Sequence, residues 1–144
     1  MSGGDDTLNL DDDDATLDHY VIYLTIEDLT CLAEAHGTTI ADIGLLASAA
    51  ARAQTSVAGQ DAYPSLQEKA AALAESICTN HPLVDGNKRL TLGAVVVFLK
   101  LNGYELDLDD SARFDLIMTI ADGTIRGVQA IAARVPITPR RTPL

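Results

Sequence analysis

Tryptophan is absent from this chain of 144 residues, and aromatic residues of any kind make up only 4% of it. Sheets draw on aromatic and β-branched side chains, whereas this chain leans on Leu, Ile, Val and an abundance of Ala, which favours helices. Cysteine is nearly missing as well. Cys31 and Cys78 each stand alone in a helical pattern, with no spacing that suits a disulfide framework or a metal site, so both are expected to be reduced core residues. No apolar run is long enough to cross a bilayer and no basic-then-apolar leader opens the chain. The expectation is a cytoplasmic protein with no membrane role.

Positive charge is scarce too, with ten Lys and Arg against 21 Asp and Glu and a formal net charge of −11. The imbalance is uneven. Residues 1–18 hold seven Asp and no Lys or Arg, leaving fourteen acids and ten bases for all the rest. That opening stretch, with Asp11 to Asp14 consecutive, reads as a solvated, disordered acidic tail. No basic surface extended enough for nucleic acid follows, since Pro139-Arg140-Arg141 is too short to supply one. The length suits a single packed domain, which is assigned to 19–135, with 136–144 as a short Pro/Arg tail.

Within that domain the punctuation is helical. His19 to Leu24 is a brief β-favouring run or an extended lead-in. Thr25 and Asp28 form a capping-box variant, Leu24 and Leu29 can staple across it, and Gly37 stops the helix. Ala41 to Arg52 has Ile43, Leu46 and Ala50 on one side. Thr55 to Pro64 reads as a loop. Ser65 and Glu68 complete a capping box for a helix carrying Leu66, Ala70, Leu73, Ala74 and Ile77 at helical spacing. A further helix from about Asn87 to Asn102 is apolar nearly all round, which predicts a central, buried position. Asp109 or Asp110 caps the next helix, and a last one runs from Gly127 to Val135 before Pro136. The fold class expected is all-α, a helical bundle around one central buried helix.

The chemistry is concentrated in His81-Pro82-Leu83-Val84-Asp85-Gly86-Asn87-Lys88-Arg89. A residue before proline is pushed out of the right-handed helical region, so the preceding helix stops at His81. The next begins near Asn87, and the residues between them form a short loop that feeds a helix N-terminus, where unpaired N–H groups favour an anion. Lys88 and Arg89 in the first turn oppose the helix dipole by roughly 0.3–1 kcal/mol each when exposed. A bound polyanion removes that conflict. Each residue also has a plainer reading: His81 at a helix C-terminus, Asp85 and Asn87 as caps, Gly86 as a tight turn, Lys88 and Arg89 as surface charges. Their adjacency favours function, with His81 as a general base, Asp85 as a Mg²⁺ ligand and Gly86 to Arg89 as a phosphate cradle. Arg52, Lys69 and Tyr63 are weaker candidates and stay outside the site. His19 and His36, without partners by spacing, are expected to be exposed and structural.

The order of residue types in this run resembles the Fic/Doc signature, written H-[P/x]-F-x-[D/A]-[G/A]-N-K-R in the death-on-curing (Doc) branch. Tyr23-Leu24-Thr25, Gly44-Leu45-Leu46, Ala51-Arg52-Ala53-Gln54, Tyr63-Pro64, the run Glu68 to Leu73, and Phe98 to Tyr104 are similar to Doc landmarks in the same order, so the resemblance covers about residues 20–135. It implies the Fic fold. Two positions depart from the pattern. Leu83 stands in place of Phe, and Leu90 in place of the Thr that follows the Arg, with Thr91 one position later, about a third of a turn away round the helix.

The resemblance implies a reaction as well. Nucleotide-transferring Fic proteins read G-N-G-R-x-x-R, whereas this chain has Lys88 for the second Gly and Leu92 for the second Arg, and in both positions it resembles the Doc branch. A Doc-type toxin of a toxin–antitoxin module is therefore expected. Such a toxin uses ATP and Mg²⁺ to move the γ-phosphoryl onto a Ser or Thr hydroxyl of a translation factor, elongation factor Tu by family analogy. His81 would be catalytic, Asp85 would hold the metal, and Gly86, Asn87, Lys88 and Arg89 would hold the nucleotide. The alternatives are a nucleotidyl transferase on the same fold and a catalytically silent module that binds nucleotide or a partner. The self-inhibitory run [S/T]-x-x-x-E-[G/N] of some Fic proteins does not occur, so control by an antitoxin protein in trans is expected.

Overall fold

The computed structural model describes residues 20–141; the expected acidic tail and His19 lie outside the described residues. Residues 20–25 form the extended lead-in rather than a strand. Helix α1 (Ile26–Ala35) then starts on the expected capping box, with the Thr25 hydroxyl accepting from Asp28 N–H and the Asp28 carboxylate accepting from Thr25 N–H. Asp42 caps α2 (Ile43–Arg52) by accepting from Leu45 N–H at 3.1 Å. In α2, Leu46 and Ala50 face the core as expected, but Ile43 is exposed.

The stretch expected to be a loop contains a hairpin, β1 (Ser56–Val57) with β2 (Gln60–Asp61). Its two turn residues, Ala58 and Gly59, both have positive φ, the geometry whose twist matches paired strands. The hairpin is tied inward by Lys69, whose ammonium is 2.9 Å from the Asp61 carboxylate and donates to the Tyr63 carbonyl at 2.6 Å. It also lies 5.6 Å from the centre of the Tyr23 ring. Arg52 pairs with Glu75 at 2.9 Å beside Tyr63. Arg52, Lys69 and Tyr63 thus hold the scaffold together.

Helix α3 (Leu66–Asn80) opens on the Ser65–Glu68 capping box. Helix α4 (Asn87–Leu101) follows it, then β3 (Tyr104–Leu106), α5 (Asp110–Ala121) capped by Asp109, α6 (Val128–Ala132) and β4 (Ile137–Pro139). The expected Pro/Arg tail supplies β4, which pairs antiparallel with β3 from Tyr104↔Pro139 to Leu106↔Ile137.

The fold is helical, with strands only as short pairs among the described residues, and the central position differs from expectation in one respect. Helix α3 has nine buried residues and α4 has six, though both are fifteen long. The physical reason is side-chain size. Ala70, Ala71, Ala72 and Ala74 let α2, α4, α5 and α6 pack around α3, whereas Leu92, Val96, Val97 and Leu101 of α4 remain partly exposed. Asn102 fastens the far end of α4 to the lead-in, donating to the Ile22 carbonyl at 2.9 Å and accepting from Ile22 N–H at 2.8 Å. Cys78 is buried as expected, but Cys31 is exposed, on the outer face of α1. No helix among the described residues is long and apolar enough to cross a membrane.

Candidate active site

The junction between α3 and α4 begins with His81 in the left-handed conformation, φ 50° and ψ 60°. Proline at 82 disfavours the right-handed helical region for His81, and the chain turns there by a route that costs a non-glycine residue about 1–2 kcal/mol. That turn exposes the imidazole, which has no hydrogen-bond partner among the described residues. The next two residues go inward, Pro82 and Leu83 being buried.

The loop rests on the connection between α1 and α2. Ala41 and Asp42 both donate to the Pro82 carbonyl, at 2.8 and 3.0 Å, and Val84 donates to the Thr39 carbonyl at 2.9 Å. Ile40 and Leu83 form a β-bridge between them. From the other side the Asn87 amide holds Leu83, its oxygen accepting from Leu83 N–H and its nitrogen donating to the Leu83 carbonyl, both at 3.0 Å. Leu83 is thus pinned through its backbone while its side chain, only 3% exposed, anchors the loop where the family signature has Phe.

Gly86 caps α4 with φ 85°, and a Cβ there would come within 2.6 Å of the Thr38 methyl group, so both conformation and space require glycine. Asp85 does not cap the helix. Its Oδ1 accepts from Gly86 N–H at 2.8 Å, which leaves the N–H groups of Asn87, Lys88 and Arg89 without a partner among the described residues. They form the positive end of a fifteen-residue helix, open to an anion. One Asn87 side-chain N–H and the amide oxygen are committed to Leu83, so the residue offers an anion its backbone N–H and its second amide N–H. Lys88 is exposed and unpaired among the described residues. Arg89 reaches back to the His36 carbonyl at 3.4 Å, where a cation suits the C-terminal end of α1. His36 is exposed, as expected, and packs its ring edge against Gly93.

His81, Asp85, Gly86, Asn87, Lys88 and Arg89 all line one cleft of about 670 Å³, within the size range of small-molecule sites. Its remaining wall is α5, through Asp110, Arg113, Phe114, Ile117, Met118 and Ala121. Sequence reasoning assigned none of these to the site. The available signal was their i, i+3, i+4, i+7 spacing, which marks a shared face without saying what that face meets. Leu92 lines the cleft from α4 and Cys78 from α3. Burial pushes the Cys78 thiol up, against a smaller opposing effect from the Thr91 hydroxyl 3.4 Å away, so it stays a neutral thiol. Leu90 is 1% exposed and Thr91 fully buried, so the Leu-Thr order puts the leucine in the core and turns the hydroxyl onto the Asn87 carbonyl at 2.7 Å.

No group of three or more His, Cys, Asp or Glu suited to a metal occurs among the described residues. A magnesium ion brought in with phosphates needs only one or two carboxylates from the protein. The Asp85 carboxylate fits that demand, being exposed in the cleft with Oδ2 uncommitted among the described residues.

Known proteins share this stretch of sequence. The model of the Fic/DOC family matches residues 16–99, which include the whole loop and most of α4. The Toxin Doc of Mycolicibacterium smegmatis is 47% identical over 104 residues, an alignment that covers 69% of this chain and 80% of that protein.

Proposed function

The chain belongs to the Fic/DOC family, and from that premise we propose that it is a Doc-type toxin and an ATP-dependent protein kinase. It moves the γ-phosphoryl of ATP to a Ser or Thr hydroxyl of a translation factor, elongation factor Tu by family analogy, and so arrests translation until an antitoxin protein binds it. The observation that carries this reading is the convergence on one cleft of an imidazole without a partner among the described residues, a carboxylate with one oxygen uncommitted among them, and an open helix N-terminus. The choice of phosphoryl over nucleotidyl transfer rests on Lys88 and Leu92. Both line that cleft, and Leu92 puts an aliphatic side chain where nucleotide-transferring relatives carry a guanidinium.

In this reading His81 accepts the proton of the target hydroxyl as the new oxygen–phosphorus bond forms and the bond to the departing ADP breaks. The N–H groups of Asn87, Lys88 and Arg89 are fixed by the helix before the reaction and face the charge that spreads over the transferred oxygens, and the exposed Lys88 ammonium can turn onto the same oxygens. Asp85 would hold Mg²⁺, which neutralises charge on the nucleotide phosphates when bound. The strained backbone at His81 fits a residue held for chemistry rather than for stability.

The test is the purified protein with Mg²⁺, a translation extract and ATP labelled on either the γ- or the α-phosphate. Label should pass to protein only from the γ-position, and both His81→Ala and Asp85→Asn should abolish it while melting near the wild-type temperature. Label passing only from the α-position would establish the nucleotidyl transferase instead. Nucleotide binding with no transfer of either label would leave a silent binding module.

A further inference from the structure

We propose that Arg113, on the α5 wall of the cleft, is a nucleotide-phosphate ligand that holds the diphosphate left behind when the γ-phosphoryl is transferred. The inference rests on the reading of the cleft as a nucleoside triphosphate site. It begins from an imbalance at Arg113 itself. The guanidinium is anchored, with Nη2 donating to the Leu106 carbonyl of β3 at 2.9 Å. Its Nε is buried and has no hydrogen-bond partner, the one such side-chain atom among the described residues. The Leu106 carbonyl offsets part of the guanidinium's desolvation cost, the buried Nε leaves the rest unmet, and buried orphans of this kind call for an explanation.

No carboxylate among the described residues explains it. The two ion pairs among the described residues are Arg52–Glu75 and Lys69–Asp61, and Asp110, one turn earlier on the same wall, is not paired with Arg113. Arg113 therefore lines the cleft as an anchored cation with no anionic partner among the described residues. The motif holds one phosphate at the start of α4, and its cations lie at that end. A triphosphate extends beyond a single phosphate, and a second cation is needed where the motif helix presents Leu92. Arg113, reaching the same cleft from α5, supplies a planar guanidinium suited to phosphate oxygens and held by Leu106. Helix α5 lies outside the matched family segment 16–99, so this contact belongs to a part of the chain that the signature does not describe.

The experiment compares wild type, Arg113→Gln and Arg113→Lys for binding of ATP, ADP and adenosine by calorimetry and ligand-observed NMR, with melting temperatures of the free proteins alongside. Arg113→Gln should weaken ATP and ADP by about tenfold or more and leave adenosine unchanged, because only the phosphates lose a charge-assisted contact. Arg113→Lys keeps the charge but lacks the planar fork, so it should bind ATP at an affinity between those of wild type and Arg113→Gln. Unchanged ATP affinity in Arg113→Gln, beside a wild type that binds ATP, would overturn this inference alone. Equal weakening of ATP and adenosine would also overturn it, leaving Arg113 as a strut between α5 and β3. A wild-type protein that binds no nucleotide would overturn the functional reading and this inference together.

Discussion

The side-chain amide of Asn87 closes on both backbone groups of Leu83, accepting from its N–H and donating to its carbonyl at 3.0 Å each. The same device recurs at the other end of α4, where Asn102 brackets Ile22. One asparagine fastens the His81–Gly86 loop to the helix it precedes, and the other fastens that helix to the start of the domain. Helix α4 thus holds its loop at a set height relative to its own open N–H groups.

Asn87→Ala is expected to cost about 1–3 kcal/mol, since it leaves two partly buried backbone groups of Leu83 unpaired. For a chain of this size the melting temperature should fall by several degrees. Transfer activity should fall much further than melting does, because the loop that carries His81 and Asp85 loses its tether. Thermal denaturation and labelled transfer, measured on the same preparation, check both parts.

His81→Gly should separate stability from activity. Glycine removes a left-handed strain of about 1–2 kcal/mol and adds roughly 0.5–1 kcal/mol of backbone entropy to the unfolded chain. The variant should therefore melt at or slightly above the wild-type temperature while transferring nothing. His81→Ala retains the strain and should melt below His81→Gly. The ordering of the two melting curves is the measurement, and the reverse order would mean that the left-handed turn is relaxed.

The pair between Lys69 and Asp61 is unequal, with the lysine 1% exposed and the aspartate 52%. Removing the aspartate strands a buried ammonium, whereas removing the lysine returns an already wet carboxylate to water. Asp61→Asn should therefore destabilise more than Lys69→Met, by about 1–2 kcal/mol in urea unfolding once the partial exposure of the pair is discounted. The hairpin of β1 and β2 should exchange its amide hydrogens faster in both variants.

Glu68 gives the protein a local acid sensitivity. The Gln129 side-chain N–H at 2.6 Å, then the Ser65 N–H at 3.0 Å, with a smaller contribution from the Ser65 side chain, hold its carboxyl below the usual value of 4.5. A carboxylate whose folded value is depressed adds stability above its unfolded value and loses that stability as pH falls through the folded one. Wild type should thus exceed Glu68→Gln in stability at neutral pH. The gap should close below about pH 4.5 as Glu68 takes up its proton. Melting of both proteins from pH 7 to pH 3 reads the difference directly.

Local chemistry made much of this protein legible in one dimension. Thr25 with Asp28, and Ser65 with Glu68, announce their helices because a capping box is complete within four residues. His81 to Arg89 discloses the loop and the open helix start for the same reason: proline, glycine and a helix start act on their immediate neighbours. Where the sequence reading erred, distance along the chain was the cause. Helix α3 proved more enclosed than α4 because small alanines admit neighbours from every side, which a count of apolar residues does not register. Cys31 sits in a helical pattern as Cys78 does, yet only the packing of α1 decided that it faces outward. Residues 137–139 became a strand because β3, more than thirty residues earlier, offered its edge. The second wall of the cleft is the furthest case. Arg113 and Phe114 carry no motif, and they reach the site only because α5 packs back against α3 and α4. The sequence determined the chemistry of the loop, which is set by bonds and contacts a few residues long; the tertiary structure decided what stands opposite it, through contacts between segments far apart in the chain.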